Sequence, residues 1–323
     1  MKIAHLVLSN VYAGIEQHVN ELISHQQKEC DVVLICNNKI KDNFNCSKII
    51  PIKNFNRNSP YGLLKLFLLL KRTNLDLIHT HGSKTTSIVN VIRKFTDINH
   101  IATAHGIKKK TAPFLKADKL IAVSKKIQNS INRESILINN WWSPILPKEI
   151  ERTQDYVLAV GRLEKVKGFD LLIQSWKNIH SKLIIVGKGQ EKNSLNQLIS
   201  NFDLGEKIRI IDEVSQKELI KYYQRASMLI VSSRNEGGPR VALEALYLKI
   251  PVISTNVGHM AEILPRELLA EPDNLNALTE LVERYVDNTS YKQDSIFKYV
   301  AEEFSLSAKA SQTLDIYKEL LIS

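Results

Sequence analysis

Short apolar, β-prone runs alternate with helical stretches along the whole of this 323-residue chain, and that alternation limits the fold more than any other feature. Ile3 to Leu8, Val32 to Cys36, Leu75 to His81, Ile101 to Ala104 and Lys119 to Val123 read as strands. Helical patterns run from Gly14 to about Gln27 and from Tyr61 to Arg72. The stretch Trp141 to Lys148 has no period and contains Pro144 and Pro147, which make a stiff connector. The pattern then restarts. Strands are expected at Tyr156 to Val160, Leu183 to Val186, Ile208 to Ile211, Leu229 to Val231 and Val252 to Ser254, with helices near Phe169 to Ile179 and Glu191 to Phe202. Strands separated by helices give a parallel sheet covered on both faces. The expectation is an α/β protein of two doubly wound, Rossmann-like domains, residues 1–148 and 153–304.

No apolar run reaches the ~18 residues that would cross a bilayer, and the N-terminal apolar run lacks a small-residue cleavage site. A cytoplasmic protein is expected. Cys30, Cys36 and Cys46 are an odd number with no Cys-x-x-Cys spacing, so free thiols are expected and no metal site is assigned to them. Charge is unevenly spread. Residues 1–150 hold 22 Lys and Arg against 10 Asp and Glu, a net +12; residues 151–323 hold 22 against 24, a net −2. Lys108-Lys109-Lys110, Lys116, Lys119, Lys125 and Lys126 are the densest basic group. Such an asymmetry points to an anionic partner, with anionic lipid headgroups or a phosphorylated acceptor ahead of nucleic acid, for which no motif is present. The helix near Leu63 to Leu70 is too short to span; with Lys65, Lys71 and Arg72 it could rest on a bilayer surface.

Chemistry concentrates in Ser232 to Ala245. Pro239 suits the first position of a helix that must end before Pro251. From Val241 to Leu248 that helix is apolar on every side except at Glu244, so Glu244 is a buried carboxylate in need of a partner. Arg240, one turn earlier, could serve. That pairing leaves Glu236, Gly237 and Gly238 at the helix entrance unexplained. Glycines there let backbone amides approach a ligand, and the helix start attracts an anion such as a diphosphate.

In an open parallel sheet, ligands gather beyond the carboxyl ends of the strands. Gly161-Arg162-Leu163-Glu164-Lys165-Val166-Lys167-Gly168 lies at such an end, where Arg162 and Lys167 can meet phosphate. Gly187-Lys188-Gly189 follows the next strand and is too short to carry function alone. No Gly-x-Gly-x-x-Gly follows the first strand, no Walker loop appears, and there is no Asp-x-Asp to hold a divalent ion on a diphosphate. Nicotinamide chemistry and ATP hydrolysis are disfavoured, and no cofactor or metal is expected. The protein's own cations and amides must neutralise the phosphates.

Gly161-Arg162-Leu163, Glu236-Gly237-Gly238-Pro239, Glu244-Ala245 and Ile250-Pro251-Val252-Ile253 together resemble the retaining glycosyltransferases of family 4, which have the GT-B fold. The resemblance spans nearly the whole chain. It implies two Rossmann-like domains facing across a cleft, with a last helix, about 305–323, crossing back to the first. Two carboxylates separated by seven residues mark the family's donor site, as Glu236 and Glu244 are. The resemblance assigns Glu236 to the transferred sugar, Glu244 to the ribose hydroxyls, and Arg162 and Lys167 to the diphosphate. It places Gly14, Gly161, Gly237, Gly238, Pro239, Arg240 and Val241 around the donor. Ala13-Gly14-Ile15-Glu16 resembles the glycine loop facing diphosphate and acceptor, and Ala104-His105-Gly106 resembles the segment whose histidine reaches the donor sugar. Three positions depart from the family: Gly238 replaces a bulky aromatic, Ala13 a glycine, and Lys249 the glycine that ends the helix. His79 and His81 are expected to line the site only.

The expected activity is metal-independent transfer of a sugar, with retention, from a UDP- or GDP-type nucleotide sugar. The acceptor would be a glycan or lipid-linked glycan of bacterial surface polysaccharide or lipopolysaccharide synthesis, at the cytoplasmic face of the inner membrane. The rivals are a nucleotide-sugar 2-epimerase of the same fold and a non-catalytic binding subunit.

Overall fold

The computed structural model describes residues 1–106, 111–287 and 293–322. The chain divides into two compact units, one of residues 1–140 with 306–323 and one of residues 141–305. Lys108, Lys109 and Lys110 lie outside the described residues; Lys116, Lys125 and Lys126 are exposed.

The first unit contains seven parallel strands: β1 (Lys2–Val7), β2 (Asp31–Asn37), β3 (Ile49–Ile52), β4 (Leu77–His81), β5 (Asn99–Ala104), β6 (Lys119–Ala122) and β7 (Ile136–Leu137), in the spatial order β3-β2-β1-β4-β5-β6-β7. Its helices are α1 (Gly14–Gln26), α2 (Pro60–Thr73), α3 (Ser83–Ile92), α4 (Lys125–Ser130) and the C-terminal helix Leu306–Ile322. Because side chains alternate along a strand, each strand feeds two cores. Ile3 and Val7 of β1, with Val32 and Leu34 of β2, pack against Val19 and Ile23 of α1 and Leu314 and Tyr317 of the C-terminal helix. Ala4, Leu6, Val33 and Ile35 face the other way, onto Leu66 and Leu70 of α2 and Ile88 and Val89 of α3. One polar residue interrupts the first row: His5, between Ile3 and Val7, is fully buried. Covering both faces makes β1 and β2 almost continuously buried, which is why they stand out as apolar runs.

The second unit repeats the scheme with six parallel strands: β8 (Tyr156–Val160), β9 (Leu183–Val186), β10 (Ile208–Ile211), β11 (Ala226–Val231), β12 (Val252–Thr255) and β13 (Leu269–Ala270), ordered β10-β9-β8-β11-β12-β13. Its helices are α5 (Phe169–Gln174), α6 (Lys192–Asn201), α7 (Gln216–Arg225), α8 (Arg240–Tyr247), α9 (Met260–Ile263), α10 (Leu275–Tyr285) and α11 (Asp294–Glu303). Three details differ from the sequence reading. The expected connector at 141–148 groups with the second unit: Trp142 stacks on Tyr247 at 3.8 Å, its amide donates to Phe304 O, and Leu146 joins the second core. The helix expected as far as Ile179 stops at Gln174. Pro239 is the N-cap of α8 and not its first residue.

The sheet order reverses once in each unit, between β1 and β4 and between β8 and β11. Loops leaving these strand pairs diverge, and the crevice between them is where an open α/β sheet holds its ligand.

Candidate functional site

At the reversal of the second sheet, the loop after β8 meets the loop after β11. Lys167 Nζ donates to Glu236 Oε1, and Ser233 Oγ donates to the same oxygen at 2.9 Å. Both ionic side chains are largely shielded, at 19% and 16% exposure. Arg234 fastens the two loops together. Its guanidinium makes a two-pronged bond to Asp170 at 2.7 and 2.8 Å, donates to Lys165 O at 2.6 Å and to Asp273 at 2.6 Å, and its amide donates to Val166 O at 2.8 Å. Burial works against charge on Asp170, but the Arg234 hydrogen bonds and positive charge hold its carboxyl below the usual range. The sequence reading gave Arg234 no role. Its position within the Glu236 segment was the available signal.

Close backbone packing completes this edge. A Cβ at Gly187 would lie 1.8 Å from Gly161 O, and one at Gly168, where φ is +68°, would lie 2.1 Å from Ser232 O. The short glycine turn after β9 is therefore a structural wedge against the β8 loop. The structure brings Lys167 and Glu236 together but holds Arg162 elsewhere: Arg162 is exposed and paired with Glu164 at 2.5 Å. Gly161 ends β8 beneath Lys167, whose Cδ would lie 3.3 Å from a Cβ there.

Glu244 is buried in α8, 3% exposed, as its sequence context requires. Its Oε1 accepts from Gln216 Nε2 and its Oε2 from Tyr223 Oη, each at 2.9 Å. Both donors come from α7, which the sequence reading left unassigned. Burial first, then the charge and hydrogen bond of Glu244, push the Tyr223 phenol well above its ordinary value, so it stays a donor. Gly237, Gly238, Arg240 and Val241 lie around the start of α8, with Pro239 buried at its cap.

The first unit carries a pocket of ≈ 270 Å³ at its own reversal, lined among others by Ser9, Glu16, His81, Lys84 and His105. Glu16 is held by Ser9 Oγ at 2.5 Å and by the Ala13 amide at 3.0 Å, which caps α1. A Cβ at Gly14 would meet nothing within 4 Å, so packing within the chain does not demand glycine there; the space stays open to a ligand.

Beneath this pocket five histidines pack ring to ring. His5, His79 and His81 project from one face of β1 and β4, where His5 and His79 are register partners, and His18 and His105 come from α1 and the end of β5. His81 sits 4.2 Å from His79, 5.3 Å from His5 and 5.4 Å from His105 between centroids. Ring nitrogens of His5, His79 and His81, and of His18, His81 and His105, lie within 4.8 Å of one another, close enough to consider a metal. Both nitrogens of His81 are already engaged, by His5 at 3.0 Å and by His105 at 3.1 Å, so the arrangement closes as a hydrogen-bonded network. Burial lowers His5 to about 4 and His105 to about 3, and lowers His79 and His81 well below the ordinary value. His105 was singled out from the sequence and His79 and His81 were expected to line the site; the bonding that joins them to one another and to His5 was not foreseen, because strand order and not sequence distance brings them together.

Two parallel sheets with sites at their carboxyl edges are the units of a GT-B glycosyltransferase. Glycosyl transferases group 1 matches residues 146–303, and Glycosyltransferase Family 4 matches residues 12–136. The chain belongs to glycosyltransferase family 4. An uncharacterized glycosyltransferase of Methanocaldococcus jannaschii is 29% identical over 275 residues, 78% of either chain. The amylovoran biosynthesis glycosyltransferase AmsD of Erwinia amylovora is 40% identical over 106 residues, 32% of this chain and 30% of its own. Anabaena HepE, solved in complex with UDP and glucose, shares the fold with a TM-score of 0.83 over 99% of this chain and 100% of its own, at 16% identity.

Proposed function

We propose that this glycosyltransferase moves a sugar from a UDP- or GDP-type nucleotide sugar to a lipid-linked glycan, with retention and without a divalent ion, in bacterial surface polysaccharide or lipopolysaccharide synthesis. The observation that carries the reading is the Lys167–Glu236 pair, shielded at the β8/β11 reversal beside the start of α8. A diphosphate entering there competes with Glu236 for the Lys167 ammonium. Glu236 is then free to accept from a sugar hydroxyl, and Lys167 neutralises charge on the leaving phosphate. Arg162, exposed and lightly held, can swing to the same phosphate. Glu244, oriented by Gln216 and Tyr223, takes the ribose hydroxyls. No side chain at the reversal is assigned as a nucleophile, so no covalent intermediate is proposed and the acceptor attacks on the same face as the leaving group. HepE, solved with UDP and glucose, supports a nucleotide-sugar donor, and AmsD, named for amylovoran biosynthesis, supports a polysaccharide product.

A face of α2 supports a membrane-borne acceptor. Tyr61, Leu64 and Leu68 are 76%, 56% and 42% exposed at helical spacing, beside exposed Lys65, Lys71 and Arg72. An apolar stripe with basic flanks suits an anionic bilayer surface. Among the described residues, no helix is long and apolar enough to cross a membrane.

Thermal unfolding with UDP- and GDP-sugars, with and without EDTA, tests the donor site. A ligand at 100 times its Kd adds about 2.7 kcal/mol. A shift that survives EDTA and is lost in Lys167→Ala is expected, with kcat/KM falling by roughly 10²-fold or more in that variant. Donor consumed without acceptor, or a shift abolished by EDTA, would contradict the reading. The anomeric configuration of the product, read by NMR, decides retention.

A further inference from the structure

We propose that Gln26, His5 and His81 are positioning residues that lock His105 as its Nε2–H tautomer, so that Nδ1 of His105 accepts a hydrogen bond from a sugar hydroxyl in the first unit's pocket. The proposal rests on the reading above that a sugar substrate reaches this pocket.

The argument begins at Gln26, fully buried at the last turn of α1. Its Nε2 donates to Tyr317 Oη at 3.2 Å, which leaves Oε1 toward His5 Nε2 at 2.8 Å. An amide oxygen only accepts, so the His5 proton is on Nε2. A neutral imidazole carries one proton. His5 Nδ1 must therefore accept, and the 3.0 Å contact with His81 Nε2 is donated by His81. His81 Nδ1 is then bare and accepts from His105 Nε2 at 3.1 Å. The only proton of His105 is spent in that bond. Its Nδ1 is a lone pair, reached by no hydrogen bond among the described residues, on a ring that lines the pocket.

A side branch fixes the same polarity. Having accepted from Gln26, Tyr317 gives its own proton to His79 Nδ1 at 2.5 Å, which places the His79 proton on Nε2, facing Thr103 Oγ1 at 2.7 Å. Burial raises the Tyr317 phenol far above its ordinary value, so that proton is not lost. Burial also keeps His5, His81 and His105 neutral near pH 7, as the one-proton argument requires. The His105 ring is clamped as well as polarised, with His18 edge-on at 4.7 Å and His81 at 5.4 Å.

The chemical consequence is selectivity. A bare Nδ1 accepts from a hydroxyl but offers nothing to a carboxylate or a methyl ether, so the sugar atom it meets is a free hydroxyl. Reversing the relay would present an N–H and invert that preference.

The test is long-range ¹H–¹⁵N NMR on the full chain with ¹⁵N-labelled histidine at pH 7.5, which reports the tautomer of each ring without any ligand. His5, His79, His81 and His105 are all expected as Nε2–H. In Gln26→Leu the anchor is gone, and His105 should show a mixture of tautomers. In the same variant kcat/KM for the nucleotide sugar should fall about tenfold while affinity for the free nucleoside diphosphate is unchanged. Nδ1–H at His105 in the wild type would overturn the proposal, as would a tautomer indifferent to Gln26→Leu. Absence of turnover with any donor would count against the glycosyl-transfer reading, while the NMR result would still decide the relay.

Discussion

Acidification from pH 7.5 to 5.5 probes the histidine cluster without altering a residue. His5, His79, His81, His100 and His105 of the first unit are held neutral by burial, His5 at about 4 and His100 and His105 at about 3. In the unfolded chain each returns to about 6.5 and takes up a proton over this interval. The unfolded state then binds more protons than the folded one, so stability falls as pH falls. The loss begins near pH 6.5 and continues toward the folded values. Each group loses about 1.4 kcal/mol between pH 7.5 and 5.5, so five lose about 7 kcal/mol, comparable with the whole stability of a typical domain. The second unit has one such group, His259, lowered by burial to about 3, and loses about 1.4 kcal/mol on the same basis. Trp141, Trp142 and Trp176 are the chain's three tryptophans and all lie in the second unit, so their fluorescence reports on that unit alone. Urea titrations at pH 7.5, 6.5 and 5.5, followed by far-ultraviolet circular dichroism and by fluorescence, should therefore diverge. At pH 5.5 the dichroism should show an early transition that fluorescence does not share. Coincident transitions that move by only about 1–2 kcal/mol across the interval would show that the five imidazoles are not buried in neutral form.

Other substitutions test the second unit. In Glu244→Gln an amide N–H must turn toward Gln216 or Tyr223, at a cost of about 1–3 kcal/mol; the melting temperature should fall by several degrees and nucleotide affinity should drop, whereas unchanged affinity would remove the ribose role. Lys249 follows the C-cap of α8 at φ +60°, a left-handed conformation that strains a residue with a Cβ. Lys249→Gly should stabilise the unit by about 0.5–1 kcal/mol, and a lower urea midpoint would refute the strain. Gly187→Ala forces a methyl onto Gly161 O and should cost about 1–3 kcal/mol together with donor-induced stabilisation; a fully donor-responsive variant would show that the loops part freely.

Strand positions were legible because both faces of each sheet are covered, which turns β8 and β9 into unbroken apolar runs and β1 into one broken only at His5. Glu244 was legible for the same reason: a lone charge in an apolar helix announces its burial. What escaped was whatever depends on neighbours distant in sequence. The helix α7 is polar on average but strongly amphipathic, with a Ser215/Glu218 capping box at its start, so its existence was legible; that it supplies both partners of Glu244 was not. The histidine relay needs β1, β4 and β5 side by side, and no spacing in the chain reveals that order. One local signal existed. His79-Thr80-His81 is a strand alternation that puts two imidazoles on one face, and His5 breaks an apolar row on another strand.

The two units answer the same topological opportunity with opposite electrostatics. At the β8/β11 reversal the chain keeps full charges, Lys167, Glu236, Arg234 and Asp170, on loops packed backbone to backbone. Fixed charge on a rigid frame is what a diphosphate demands, since little reorganisation is needed when charge develops on the leaving group. At the β1/β4 reversal the histidine part of the wall is neutral: buried imidazoles that pass hydrogen bonds to one another, beside a Glu16 carboxylate held by Ser9 and Ala13 and a Lys84 ammonium held by Asn54. A polyhydroxylated sugar carries no net charge, and a neutral acceptor can fix the orientation of a hydroxyl without the desolvation cost of an ion. If His5, His79, His81 and His105 were cationic they would repel one another, and an imidazolium at His105 would have no lone pair to offer. Burial that keeps them neutral is therefore a requirement of the proposed contact, which ties the acid sensitivity of the first unit to its substrate chemistry.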